Sequence, residues 1–237
     1  MTRRRWIADE VSNDRAALIG AHAAHLSRTL RARVGQEVEV ACGDVVRRAM
    51  VSSVDDARVE FVLGPEVAAS IAAPITLLLA VFKFDRMEWA IEKCTELSVT
   101  TIVPVIARRT EKHLAQAAVK RVDRWRRIAR EASEQARRVT PPEIDDPMKL
   151  AEALGIAAEL RIVLAESERE TQLNDVLRER GDVRSLALAV GPEGGWTVVE
   201  LRLFEQGGWI PSSLGATVLR AETAAIAALA IARAEVG

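Results

Sequence analysis

From residue 75 onward the apolar positions alternate between two rhythms, one of strands and one of helices. ITLLLAVF (75–82) is an unbroken apolar run, the pattern of a strand buried on both faces. A helix is predicted next, with Asp85 as its cap, Glu88 completing a capping box, and Met87, Ala90, Ile91, Cys94 and Leu97 as its buried stripe. TTIVPVIA (100–107) reads as the second strand, and Val119–Arg138 as a long helix packed through Val122, Trp125, Ala129, Ala132 and Ala136. RIVLAE (161–166) and SLALAV (185–190) are further strands, with a helix near 170–180 between them. Thr197 and Glu200 form a second capping box, opening a helix that stops at Gly207-Gly208. A brief strand follows, then an Ala-rich helix from about Ala221. Serial strand–helix pairs predict an α/β domain with a largely parallel sheet covered by helices.

Before residue 75 the rhythm differs. GQEVEVACG (35–43), VVRRAMVSSV (45–54) and ARVEFVLG (57–64) are short β-branched runs broken by Gly or Asp turns. Ala16–Leu30 has helical spacing through Leu18, Ala21, His22, His25, Leu26 and Leu30. GPEVAASIAAP (64–74) is a connector. The expected organisation is a small β-barrel with one helix over 1–70 and the α/β domain over 74–237.

Composition adds exclusions. Cys42 and Cys94 are far apart and lack His or Cys neighbours at metal spacing, so neither a disulfide framework nor a metal site is expected, and a reducing cytoplasm fits. MTRRRWIADEV lacks the apolar core of a signal peptide, and no apolar run reaches membrane-spanning length. The net charge of −1 hides an asymmetry: residues 1–140 hold 24 Lys/Arg against 18 Asp/Glu, and residues 141–237 hold 9 against 16. The excess is sharpest over 103–140, 11 basic to 4 acidic, which fits either a polyanion on one half or a solvated helix face.

Candidate chemistry gathers in two glycine-bearing turns. Gly191-Pro192-Glu193-Gly194-Gly195 follows a strand and precedes a helix, yet matches neither common phosphate-loop pattern. Glu193 would repel a phosphate there. The turn is either purely structural or holds a ligand that is neutral or cationic beside Glu193, such as adenosine on a sulfonium. The second turn, Ser213-Leu214-Gly215, leads into Leu219-Arg220-Ala221-Glu222-Thr223, a charged pair and a hydroxyl at a helix start. Charges in an apolar region are costly unless paired or used. Two such turns about 25 residues apart form opposite walls of one pocket. His113 lies in a basic loop with Arg108, Arg109 and Lys112, suited to phosphate. Covalent catalysis has no candidate.

GPEGG followed by SLGATVLRAETAA resembles the terminal signature of the SPOUT-class methyltransferases, and within them the RsmE type, which methylates N3 of a uridine in 16S ribosomal RNA. KFDRMEWAIEKCTELSVTTIVPV (83–105), RWRRIAREASEQARR (124–138) and HAAHLSRTLRARVGQEVEVACGD (22–44) are similar to that family's other motifs. The resemblance departs at Phe84 and Ser98, each standing where the family usually has Gly, and at Ala136-Arg137. A left-handed helix end at Ser98 would cost about 1 kcal/mol.

The resemblance implies a PUA-like RNA-binding barrel and a trefoil-knotted parallel-sheet domain. It implies S-adenosyl-L-methionine bent within the knot, 16S rRNA of the 30S subunit as substrate, and a homodimer through the knotted domain, without metal or membrane. The cofactor residues implied are Leu164, Ala165, Glu166, Val190, Gly191, Pro192, Gly194, Gly195, Ser213, Leu214, Gly215, Val218, Leu219 and Thr223. Arg220, Glu222 and Thr223 would act in catalysis, with Glu222 orienting Arg220 or relaying a proton. RNA contacts would come from Arg3, Arg4, Arg28, Arg31, Lys83, Arg108, Arg109 and Arg138. The alternatives are a non-catalytic RNA-binding module and a SPOUT methyltransferase acting on another RNA or a small molecule.

Overall fold

The computed structural model describes residues 5–43, 45–67, 73–181 and 183–236. Contacts divide the chain into two units, Met1–Ile71 with Arg130–Pro141, and Ala72–Ala129 with Pro142–Gly237.

In the first unit β1 (Arg5–Ile7), β2 (Glu10–Ser12), β3 (Arg15–Ile19), β4 (Glu37–Cys42), β5 (Val45–Val54) and β6 (Arg58–Val67) form one sheet, ordered β1-β4-β5-β6-β3-β2. Only β1 and β4 run parallel. Ala8 and Asp9 alone separate β1 from β2; the Ala8 amide donates to Ala41 (3.0 Å) and the Asp9 amide to Ala17 (2.9 Å). A single bent segment thus feeds both ends of the sheet, which curls into a half-barrel around Trp6, Leu18, Leu26, Val40 and Phe61.

The helix expected from Ala16 begins later. Residues Arg15–Ile19 pair with β6 instead, Ala16 opposite Phe61 and Leu18 opposite Val59. An apolar run this short fits either period, and the non-local partner decides. Helix α1 (Gly20–Ala24) starts at Gly20 with φ +56° and continues as a π-helical turn over His25–Thr29. His22 is tied by Nδ1 to the Asp9 carboxylate (3.1 Å), which also accepts the Ile19 amide (2.9 Å) and pairs with Arg130 (2.9 Å).

The second unit is a parallel sheet of β7 (Ile75–Ala80), β8 (Thr101–Ile106), β9 (Glu143–Ile144), β10 (Met148–Lys149), β11 (Leu160–Leu164), β12 (Leu186–Val190) and β13 (Ile210–Ser212). Its order is β10-β8-β7-β12-β11-β13, with β9 also on β8. The helices are α2 (Phe84–Glu96), α3 (Lys112–Ala118), α4 (Val122–Gln135, of which Arg130 onward counts with the first unit), α5 (Leu150–Ala153), α6 (Leu173–Arg180), α7 (Val198–Gln206) and α8 (Ala221–Val236). The unbroken apolar run of β7 serves two cores. Leu77 and Leu79 join Met87, Ile91, Trp125, Leu177 and Leu229 on one face, while Leu78 and Ala80 join Leu150, Trp196, Phe204 and Trp209 on the other.

Two local expectations change. The long helix does not start at Val119: α3 and a 3-10 turn (Val119–Arg121) precede α4, because exposed Val119 lies off the apolar stripe. Helix α2 starts after Lys83 with no side-chain cap: Asp85 falls inside its first turn rather than at the cap, and the Glu88 carboxylate pairs with Arg124 (2.6 and 2.7 Å). It ends as expected at a left-handed Ser98, φ +64°, whose carbonyl accepts from Arg233.

Candidate functional site

Because every strand runs parallel, the C-terminal ends of β11, β12 and β13 reach the same edge of the sheet. There they open into a cleft of about 440 Å³ whose walls include Leu164, Val190 and Ser212, the last residues of those strands. Crevices outside the carboxyl ends of parallel strands are where ligands bind in open α/β sheets. Both glycine turns line this cleft. Of the cofactor residues nominated above, Thr223 alone lies outside its lining.

The first turn is tightly packed. A Cβ on Gly191 would meet the Gly195 carbonyl carbon, the Trp196 amide and the Trp196 indole nitrogen, each at 3.3 Å. Gly195 has φ +67° and donates its amide to Pro192 (2.8 Å). Beyond it the anticipated capping box forms: the Glu200 amide donates to Thr197 Oγ1 (3.3 Å), and the Thr197 amide to Glu200 Oε2 (2.8 Å). The other oxygen of buried Glu200 accepts the Arg108 amide (2.7 Å), binding the β8–α3 loop to the turn. The guanidinium of Arg109 donates to the Gly194 carbonyl, and its stem occupies the space a Gly194 Cβ would need. Behind the turn Trp196, Phe204 and Trp209 pack edge to face, centroids 4.9 and 5.3 Å apart.

The second turn leans on fewer neighbours. The Ser213 amide donates to Thr171 (2.9 Å), and Ser213 Oγ both accepts the Gly215 amide and donates to its carbonyl, 3.1 Å each. Gly215 has φ +121°, and residues 215–218 are exposed.

Two buried polar atoms of the cleft walls, Ser212 Oγ and Trp196 Nε1, have no hydrogen-bond partner in the protein. Glu166, Glu168 and Glu193 bring negative charge to the lining, and Arg109 and Arg169 positive charge. The Glu168 carboxylate is engaged by the Thr171 and Glu170 amides (2.9 and 2.8 Å), which hold it below the usual carboxylate range.

Helix α8 begins at the cleft wall with Ala221. Arg220 and Thr223 are exposed on either side, whereas Glu222 is buried, 3% accessible. The bonding partner of Glu222 is not Arg220. Its carboxylate is ion-paired with Arg86 in the first turn of α2, a residue sequence reasoning had placed only in a motif. Because 136 positions separate the two, local spacing carries no sign of the pair.

The RNA methyltransferase domain family matches residues 69–233. Ribosomal RNA small subunit methyltransferase E of Synechocystis is 31% identical over 210 residues, covering 87% of this chain and 68% of the relative. The chain belongs to the ribosomal RNA small subunit methyltransferase E family. The Rickettsia conorii member is 35% identical, the alignment spanning 66% of this chain and 62% of that one. Among solved structures, the family member from Neisseria gonorrhoeae, bound to S-adenosyl methionine, has a TM-score of 0.85 at 29% identity, covering 96% and 95% of the two chains. A methyltransferase from Legionella pneumophila in complex with the same cofactor has a TM-score of 0.87 at 27% identity, covering 99% and 98%.

In this family member the nominated RNA contacts fall in both units. Arg28 is exposed and paired with Asp56 (2.7 Å), and Arg31, also exposed, has φ +51°. Arg138 donates through Nε to the Thr140 carbonyl (3.1 Å). Lys83 and Arg108 are exposed in the second unit. Arg109, also exposed, braces the first turn and lines the cleft. Arg3 and Arg4 lie outside the described residues. No helix among the described residues is long and apolar enough to cross a membrane.

Proposed function

We propose that this chain transfers a methyl group from S-adenosylmethionine to N3 of a uridine in 16S ribosomal RNA, acting on the small ribosomal subunit. The observation that carries the reading is the cleft between the two turns. It offers backbone for a flat adenosine and two unpartnered buried donors, Ser212 Oγ and Trp196 Nε1, for hydrogen bonding. Its carboxylates, Glu166, Glu168 and Glu193, disfavour a phosphate and suit a cationic sulfonium. The arginines Arg109 and Arg169 suit a carboxylate tail. The bound cofactor supplies an already activated methyl group.

The chain's own residues must then align the acceptor base and assist loss of its N3 proton. Alignment contributes several kcal/mol, and a positioned proton acceptor about 10²–10⁴-fold. Arg220 is exposed beside the cleft wall, placed to hold a uracil carbonyl or adjacent phosphate and to stabilise the developing N3 anion. Thr223, exposed within the same turn, hydrogen-bonds the substrate. The curled sheet of the first unit, with Arg28, Arg31 and Arg138, takes the RNA backbone as a PUA-like domain, aided by Lys83 and Arg108.

The reading includes the trefoil knot and pairing of two chains through the knotted domain. Exposed Trp89 on α2 and the small-residue outer face of α8 support a paired surface. The test is labelled methyl transfer to 30S subunits lacking the modification, followed by nucleoside analysis. 3-Methyluridine in 16S rRNA is expected; label in another nucleoside, or none, overturns the reading.

A further inference from the structure

Helix α8 buries alanines and leucine along its inner face, and Glu222 is the one charged residue among its buried positions. One carboxylate oxygen pairs with Arg86, while the other, Oε2, has no hydrogen-bond partner. As a stabiliser this arrangement is poor. Replacing a buried ion pair by apolar residues is often neutral or favourable, and an oxygen left without a partner adds a desolvation cost. Its location gives it another use. Glu222 follows cleft-lining Ala221 and sits between Arg220 and Thr223, and Arg86 reaches it from the first turn of α2, three residues after exposed Lys83.

We propose that Arg86 is a positioning residue for methyl transfer: by pairing with the Glu222 carboxylate beneath the cleft wall it fixes the turn that presents Arg220 and Thr223. Arg86 is absent from the cleft lining and acts through Glu222. The proposal rests on the reading of the previous subsection.

The experiment uses the full chain with labelled S-adenosylmethionine and unmethylated 30S subunits. Arg86→Met is expected to lower kcat about 10–100-fold, as small misplacements of reacting groups do. Cofactor affinity by calorimetry should stay unchanged. Arg86→Lys is expected to restore most of kcat. Since an unpaired buried carboxylate can impair folding, the double variant Arg86→Met/Glu222→Gln removes both charges and should fold, yet remain as slow as Arg86→Met. Native kcat in the double variant, or a fall in cofactor affinity that accounts for the slowing of Arg86→Met, overturns the proposal. Should the native chain methylate no 30S RNA, the substrate reading alone fails. Amide hydrogen exchange over 221–224 then decides: faster exchange in the double variant supports positioning by Arg86, and unchanged exchange overturns it.

Discussion

The two glycine turns face one cleft but are built differently. The first is braced from outside itself, by the Arg109 guanidinium on Gly194, by Glu200 gripping both Thr197 and the Arg108 amide, and by the Trp196–Phe204–Trp209 stack. The second is held at Ser213, while residues 215–218 are exposed. One wall is preorganised by packing, and the other keeps local freedom that ligand contacts can remove. Substitutions in the first should therefore register as stability, and substitutions in the second as affinity.

The largest effect is expected at Glu200. Glu200→Ala removes the capping box and leaves the Arg108 and Thr197 amides without their carboxylate acceptor, for a loss of about 3 kcal/mol in urea unfolding. A loss under about 1 kcal/mol would mean the first wall is not braced as described. Gly191→Ala comes next. Its methyl meets backbone at 3.3 Å, and an overpacking cost of about 2 kcal/mol is expected, with weaker cofactor binding in calorimetry. At Gly215 the added Cβ meets nothing within 4 Å but demands φ +121°. Gly215→Ala is expected to lower cofactor affinity by about 1 kcal/mol, the cost of that backbone state, while the exposed turn relaxes in the free protein and the melting temperature barely moves. An equal fall in stability would erase the distinction between the walls. The smallest effect lies outside both turns and calibrates them. Ser98→Gly relieves a left-handed residue and should add about 0.5–1 kcal/mol to stability with cofactor affinity unchanged.

What was legible in the sequence follows the range of the interactions concerned. The continuous apolar runs of β7 and β12 and the Thr197–Glu200 box are written within a few residues, and the structure has them where those residues stand. The Asp85–Glu88 box looks equally good but does not form: the helix starts at Phe84, leaving Asp85 inside its first turn, and Arg124, 36 positions on, takes the Glu88 carboxylate. Residues 16–19 satisfy a helical period, but β6 supplies a strand partner from about forty positions away. In the cleft the two turns were readable as a pair from their glycines. Arg109 was read as a phosphate contact because its basic neighbourhood was visible and its reach to Gly194 was not. The Arg86–Glu222 pair was hidden for the same reason.

The place of β12 in the sheet also dictates when the cleft can exist. Its first residue, Leu186, aligns with Ile75, about 110 positions earlier, and its other neighbour β11 pairs in turn with β13 at Ile210–Ser212. Closing such distant pairings is slow, and during synthesis none of them can form until the later strand has left the ribosome. The first turn waits for residue 195 and the second for the start of α8. The cleft is thus among the last features a growing chain completes, and a nascent chain that stops short of α8 carries no finished pocket.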